Sequence, residues 1–184
     1  MRSVIAGGIL ATLLAGPIAA SGLEIEVVGE ANGTITIDLL EDLAPQHVER
    51  ITTLAADGKY DGVVFHRVIE GFMAQTGDVE HGRLGSDLRR AGSGGSDMPD
   101  LKAEFSDVTY EKGVIGMARA QSPDSANSQF FIMFDDAPFL NGQYTVVGRV
   151  TGGQDVVDAI KRGTGANGAV IGEPDMMKTV TVTE

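Results

Sequence analysis

Arg67, Phe72, Met73 and Gln75 lie within nine positions of one another in the stretch Phe65–Asp78, FHRVIEGFMAQTGD. A guanidinium beside large apolar side chains has chemical use. It is permanently charged, presents several fixed N–H donors, and acts more strongly against an apolar wall than in water. Without such a use, Phe72 and Met73 are core residues and Arg67 snorkels its head to the surface. Other chemistries find less support. His47, His66 and His81 are too far apart for a compact metal site, and a chain with no cysteine has no disulfides, thiolate nucleophiles, iron–sulfur clusters or cysteine-ligated zinc. No serine occupies a G-x-S-x-G elbow. Gly163–Gly168 fits G-x-G-x-x-G but follows a helical pattern rather than a strand, so it reads as a turn, and Gly92–Ser96 lacks the lysine of a phosphate loop. Neither a metal nor a cofactor is expected.

The elements that must hold these residues are mostly strands. Glu24–Val27 and Thr34–Leu39 alternate apolar with polar, and Asn32-Gly33 between them signals a two-residue type I′ turn. Further strands are expected over Val63–Ile69, Phe72–Thr76, Val114–Ala118, Gln129–Phe134, Tyr144–Val150 and Thr179–Thr183, about eight in all. Val48, Ile51, Leu54 and Ala55 recur at helical spacing after Pro45, with Gly58 as a stop. A second helix is expected from Gln154 to Arg162, with Val156, Val157 and Ile160 inward and Lys161 and Arg162 in its last turn. Many short strands, glycine-rich turns and two helices predict a mainly β fold, a closed eight-stranded antiparallel barrel capped by two α-helices. The irregular region Glu80–Lys102 is long enough to suggest a functional role.

Composition bounds the function. The 184 residues carry 14 Lys+Arg against 26 Asp+Glu, a formal net charge of −12. With no compensating basic stripe, nucleic acid is excluded as a partner. Residues 1–22 place Arg2 before an apolar run and a cluster of small residues, the layout of a secretory signal peptide. The run of about 12 apolar residues is too short for a membrane anchor, which needs about 20. The expected organisation is therefore a signal peptide over 1–22 and one domain over 23–184, exported to the periplasm or another extracytoplasmic space, monomeric, with no stable membrane anchor after cleavage.

FHRVIEGFMAQTGD resembles the signature of the cyclophilin family of peptidyl-prolyl cis-trans isomerases, F-H-R-[IV]-I-x-x-F-M-x-Q-x-G-D, and matches it at every fixed place. Gly116–Ala120 with Asn127–Ile132, and Phe139–Tyr144 with Val147–Val150, resemble the second and third blocks of that family. The resemblance spans about Leu23 to Thr183 and implies an eight-stranded barrel capped by two helices. It implies rotation about X-Pro bonds without a covalent intermediate, assisting the folding of unfolded or partly folded proteins. Arg67 would be catalytic, stabilising the twisted amide. Phe72, Met73, Phe131, Phe139, Leu140 and Tyr144 would line the proline pocket, Gln75 and Gln129 would bond the substrate backbone or Arg67, and the Ala118-Arg119 main chain would pair with the residue before proline. His66 belongs to the signature but, since the reaction transfers no proton, is expected to make a structural hydrogen bond.

Three positions depart from the family pattern. Phe139 stands where many members have Trp, Tyr144 where many have His, and Arg119 where Asn is common. Phe139 lacks the indole N–H that the family uses in tight cyclosporin binding. Two rival readings are a module that holds Pro-containing segments without turnover, disfavoured by the intact Arg67, and a barrel that carries a small apolar ligand, disfavoured because small barrels fill their interiors with side chains.

Overall fold

The computed structural model describes residues 21–184, so the expected signal peptide lies outside the described residues except for Ser21 and Gly22. Strand β1 (Gly22–Val28) pairs antiparallel with β2 (Gly33–Leu39), Leu23 opposite Ile37 and Ile25 opposite Ile35. These apolar residues are buried, while Glu24 and Asp38 on the opposite face are exposed, as period-two alternation requires. The connection is wider than the expected type I′ turn. Val27 pairs with Gly33, Gly29 takes a positive φ, and Asn32 Nδ2 donates to the Gly29 carbonyl at 2.7 Å. Buried Asp175 accepts from Ala31 N–H at 3.1 Å, a long-range contact that a two-residue turn would not provide.

Helix α1 (Pro45–Ala56) opens on Pro45 and buries Val48, Ile51, Leu54 and Ala55 against the sheet. Helix α2 (Gln154–Ala159) ends before the expected Arg162. Ile160 turns to an extended conformation and enters the core, and Lys161 N–H donates to Asp175 at 2.7 Å instead of continuing the helix. Gly153, immediately before α2, has φ 73, and a Cβ there would stand 2.0 Å from the Thr34 carbonyl oxygen.

Nine strands replace the expected eight because Val63–Ile69 is broken in the middle. Its start, β3 (Val63–Val64), pairs with β9 (Met176–Thr183), and its end, β4 (Arg67–Ile69), pairs with β5 (Met73–Thr76). Between them Phe65 N–H donates to Asp175 O and His66 O accepts from Val170 N–H, so the chain at 170–175 takes the hydrogen bonds that would have continued the strand. The remaining strands are β6 (Val114–Met117), β7 (Phe130–Met133) and β8 (Val146–Gly152), giving the order β3-β9-β1-β2-β8-β6-β7-β5-β4. The two outer strands belong to one stretch of chain, so the antiparallel sheet curls until its edges meet at Phe65-His66. The strands at the two ends of the sheet are only two and three residues long, which keeps the edges they present short.

The core has two parts. Leu23, Ile25, Ile35, Phe65, Ala74, Phe130 and Ile132 pack inside the curled sheet, whereas Met73, Tyr110, Phe131, Met133, Leu140 and Val146 form a second cluster on its outer face. Strand β7 belongs to both, with Phe130 and Ile132 inward and Phe131 and Met133 outward, and all four are buried.

Candidate active site

The outer cluster carries a row of residues set by strand register. Arg67 on β4 faces Gln75 on β5, Gln75 faces Phe131 on β7, and Phe131 faces Gly116 on β6. Glycine at 116 makes room, because a Cβ there would approach the Phe131 ring to 2.6 Å and the Tyr110 hydroxyl to 2.4 Å. One row of the sheet thus runs from a cation to an amide to an aromatic ring.

Arg67 is half-buried, and burial moves its pKa down from the ordinary arginine value. Its Nη1 donates to Gln75 Oε1 at 3.1 Å, Nε to the Asn167 carbonyl at 3.0 Å and Nη2 to Asn167 Oδ1 at 3.2 Å. Of the guanidinium's five N–H groups, this leaves one on Nη2 and one on Nη1, the latter toward the Met73 sulfur at 3.9 Å. The hydrogen bonds continue behind it. Gln75 Nε2 donates to Gln129 Oε1 at 2.9 Å, and Gln129 Nε2 donates to the Gly94 carbonyl at 2.7 Å. Gly92 and Gly94 N–H donate to buried Asp78 at 2.7 and 2.9 Å.

Beside this chain of contacts opens a cleft of about 460 Å³, lined by Arg67, Phe72, Met73, Gln75, Ala118, Arg119, Phe131, Phe139, Leu140, Gln143 and Tyr144. It collects every site residue expected from the sequence except Gln129. That residue lines an adjoining cleft of about 470 Å³ with Gly92–Ser96, Asp100 and Asn127. Met73, Phe131 and Leu140 form a buried floor. Phe139 is 68% exposed and tilts against Phe72 at 5.6 Å between ring centres, making an open apolar rim. Tyr144 meets Phe131 edge-on at 5.8 Å. The Arg119 guanidinium lies 4.4 Å over the Tyr144 ring and donates to the Gln143 carbonyl at 3.0 Å, so its side chain closes one end of the slot. Ala118 N–H donates to the Gln129 carbonyl at 2.9 Å, which leaves the Ala118 carbonyl and Arg119 N–H for an incoming strand.

His66 corrects one expectation. Both its ring nitrogens are buried without a hydrogen-bond partner, so it makes no structural hydrogen bond of the expected kind. Burial pushes its pKa down to about 4, against the pull of the nearby Asp78 carboxylate, and leaves it a neutral packing group. A Cβ at Gly92 would stand 2.9 Å from its Nε2.

Sequence reasoning missed Asn167, which binds Arg67 twice from 100 positions away. Its signal was the Asn-Gly pair inside the turn Gly163–Gly168, for Asn167 is the one non-glycine residue with positive φ (55°) among those described. Asparagine tolerates that region better than most residues.

The sequence matches the family described as cyclophilin type peptidyl-prolyl cis-trans isomerase over residues 23–182. A probable peptidyl-prolyl cis-trans isomerase from Brucella suis is 56% identical over 153 residues, covering 82% of this chain and 78% of the relative. A peptidyl-prolyl cis-trans isomerase from Helicobacter pylori is 40% identical over 135 residues, covering 71% of this chain and 76% of the relative. Among solved structures, a cyclophilin from Hirschia baltica superposes with a TM-score of 0.68 at 26% identity, covering 87% of this chain and 73% of that one. A Cryptosporidium parvum cyclophilin crystallised in the presence of the dipeptide Ala-Pro superposes with a TM-score of 0.74 at 23% identity, covering 89% of this chain and 99% of that one. Agreement in sequence over almost the whole described chain, and in fold over as much, makes this protein a member of the cyclophilin family of peptidyl-prolyl cis-trans isomerases.

Proposed function

We propose that the protein accelerates rotation about X-Pro bonds in unfolded or partly folded proteins outside the cytoplasm, working as a monomer, with Arg67 as the catalytic residue. The observation that carries this reading is the half-buried Arg67 guanidinium, held by Gln75 and Asn167 with N–H groups to spare at the edge of an apolar slot.

The X-Pro amide resists rotation by about 18–20 kcal/mol because the nitrogen lone pair is delocalised into the carbonyl. As the bond twists, the lone pair localises, the nitrogen becomes pyramidal, and it becomes able to accept a hydrogen bond. A donor fixed in advance where that lone pair emerges stabilises the twisted state and neither planar isomer, which is the condition for acceleration. Proline's ring fits against Phe131, Met73 and Leu140, with Phe72 and Phe139 at the rim, and the Ala118 carbonyl and Arg119 N–H hold the preceding residue in strand fashion. A five-decade acceleration needs about 7 kcal/mol, more than one hydrogen bond supplies, so anchoring on both sides of the amide shares the task.

The deciding experiment is catalysed interconversion of a short Ala-Pro peptide by the protein lacking residues 1–20, with Arg67→Ala as control. The variant should stay folded by circular dichroism and lose at least about tenfold in kcat/KM. Unchanged turnover in a folded variant refutes the mechanism, and binding without any rate gain in the parent makes the protein a holder of Pro-containing segments.

A further inference from the structure

Past the slot, on the far side of Arg67 and Gln75, the surface continues as another groove of about 460 Å³, to which Arg89, Arg90, Ser93 and Asn167 contribute. Arginines supply three of the lining side chains, and no carboxylate lines it. In a chain of net charge −12 this is a local reversal of sign. His66 adds no charge at neutral pH. Asp87 pairs with Arg89 at 2.6 Å and so weakens its field, whereas Arg90 makes no ion pair among the described residues. The cations stand on a loop that is already set. Leu88–Arg90 form a 3-10 turn capped by Asp87, Ser93 Oγ donates to the Arg90 carbonyl at 2.6 Å, and Asp78 fixes Gly92 and Gly94. The backbone of such a loop need not be ordered on binding, and only the exposed arginine side chains give up rotamer freedom.

Which side of the proline this groove serves follows from shared residues. The slot shares Ala118 and Arg119, where the preceding residue pairs, with the cleft beside Gln129. The arginine groove touches the cleft beside Gln129 at Gln75, Gly92 and Ser93, but it shares Arg67 with the slot alone and contains neither Ala118 nor Arg119. A chain that leaves the slot past Arg67 therefore enters it with the residues that follow proline.

We propose that this groove selects Pro-containing segments with an acidic side chain among the three residues after the proline, recognised by Arg90 with Arg89. The inference rests on the slot being the proline site. An extended chain advances about 3.3 Å per residue, so three residues carry a side chain about 10 Å beyond the proline.

The test is a set of Ala-Pro peptides with Glu, Gln or Lys at the first, second or third position after proline, assayed for both binding and turnover at low and high salt. At one position at least, the Glu peptide should exceed the Lys peptide by roughly fivefold in affinity and in kcat/KM at low salt, with the ratio falling toward one as salt screens it. Arg90→Glu should abolish or invert the ratio. Lys59→Glu, exposed and outside the groove, makes the same change in total charge and should preserve it. Glu and Lys peptides agreeing within twofold at all three positions would overturn the proposal, as would a preference that survives Arg90→Glu or disappears equally in Lys59→Glu. Because the ratio is read in binding as well as in rate, failure to turn over the Gln peptide counts against the isomerase reading alone, and the affinities still decide the groove.

Discussion

At the scale of single residues, the arrangement turns on how one guanidinium is aimed. Gln75 and Asn167 hold Arg67 from opposite sides, and Asn167 does so from a left-handed backbone that costs a non-glycine residue about 1 kcal/mol or more. Asn167→Gly relieves that strain and keeps the main-chain acceptor, so it removes the Oδ1 contact alone. It should lower kcat/KM about three- to tenfold with the melting temperature unchanged or raised. Asn167→Ala loses the same contact and keeps the strain, so it should match the glycine variant in rate and melt about 2–4 °C below it. Wild-type rates in both variants would remove Asn167 from the machinery. Phe72→Ala takes away rim surface rather than a donor and should weaken peptide binding and turnover together, by about tenfold, in the same Ala-Pro assay. Arg67, Phe72, Met73 and Gln75 were legible because one motif spans two neighbouring strands and the turn between them. Asn167 was not, because its link to Arg67 exists only after the chain has closed on itself. The unpaired His66 ring was equally hidden, since motif membership says nothing about which partners burial leaves in reach.

Among the elements, the loop after β5 depends on one side chain. Asp78 accepts from Glu80 and His81 N–H through one oxygen and from Gly92 and Gly94 N–H through the other. An amide in its place can accept through a single oxygen, so Asp78→Asn leaves two donors without a partner. The expected loss is about 2–4 kcal/mol in urea denaturation. Turnover should fall too, because Gly94 supports Gln129, which supports Gln75. Faster amide exchange at Gly92 and Gly94 would locate the effect in the loop, and full stability with native exchange would show that the carboxylate is dispensable. Sequence periodicity located nearly every strand but not the break at Phe65-His66, whose hydrogen bonds go to residues a hundred positions later. It overran α2 for the same reason: Asp175 captures the amide of Lys161, and local propensity carries no trace of that competitor.

For the molecule as a whole, acid is the informative stress. His66 protonates near pH 6.5 when unfolded and near 4 when folded, so between these values the unfolded chain holds more protons. Stability should therefore rise with pH across that window and be lost as pH falls from 6.5 toward 4, by up to about 3 kcal/mol. Glu104 acts lower. Burial would raise its pKa, but N–H groups of Gln46 and His47 and the His47 ring outweigh this and hold it below the usual value. Its contribution is lost only as pH falls below about 4.5. Urea midpoints from pH 4 to 7.5 should show the slope in the parent and a flatter one in His66→Phe, and parallel slopes would place the acid sensitivity elsewhere. The antiparallel, closed architecture was legible from alternation and turn spacing, but its second, outer cluster was not, because a strand buried on both faces carries no alternation to read. That doubly covered strand has an evolutionary price. Residues 130 and 131 are backbone neighbours serving the barrel interior and the floor of the slot, so a change that reshapes the floor also disturbs the interior. New preferences are accordingly gained more readily by editing the loops around the rim than by recutting the floor itself.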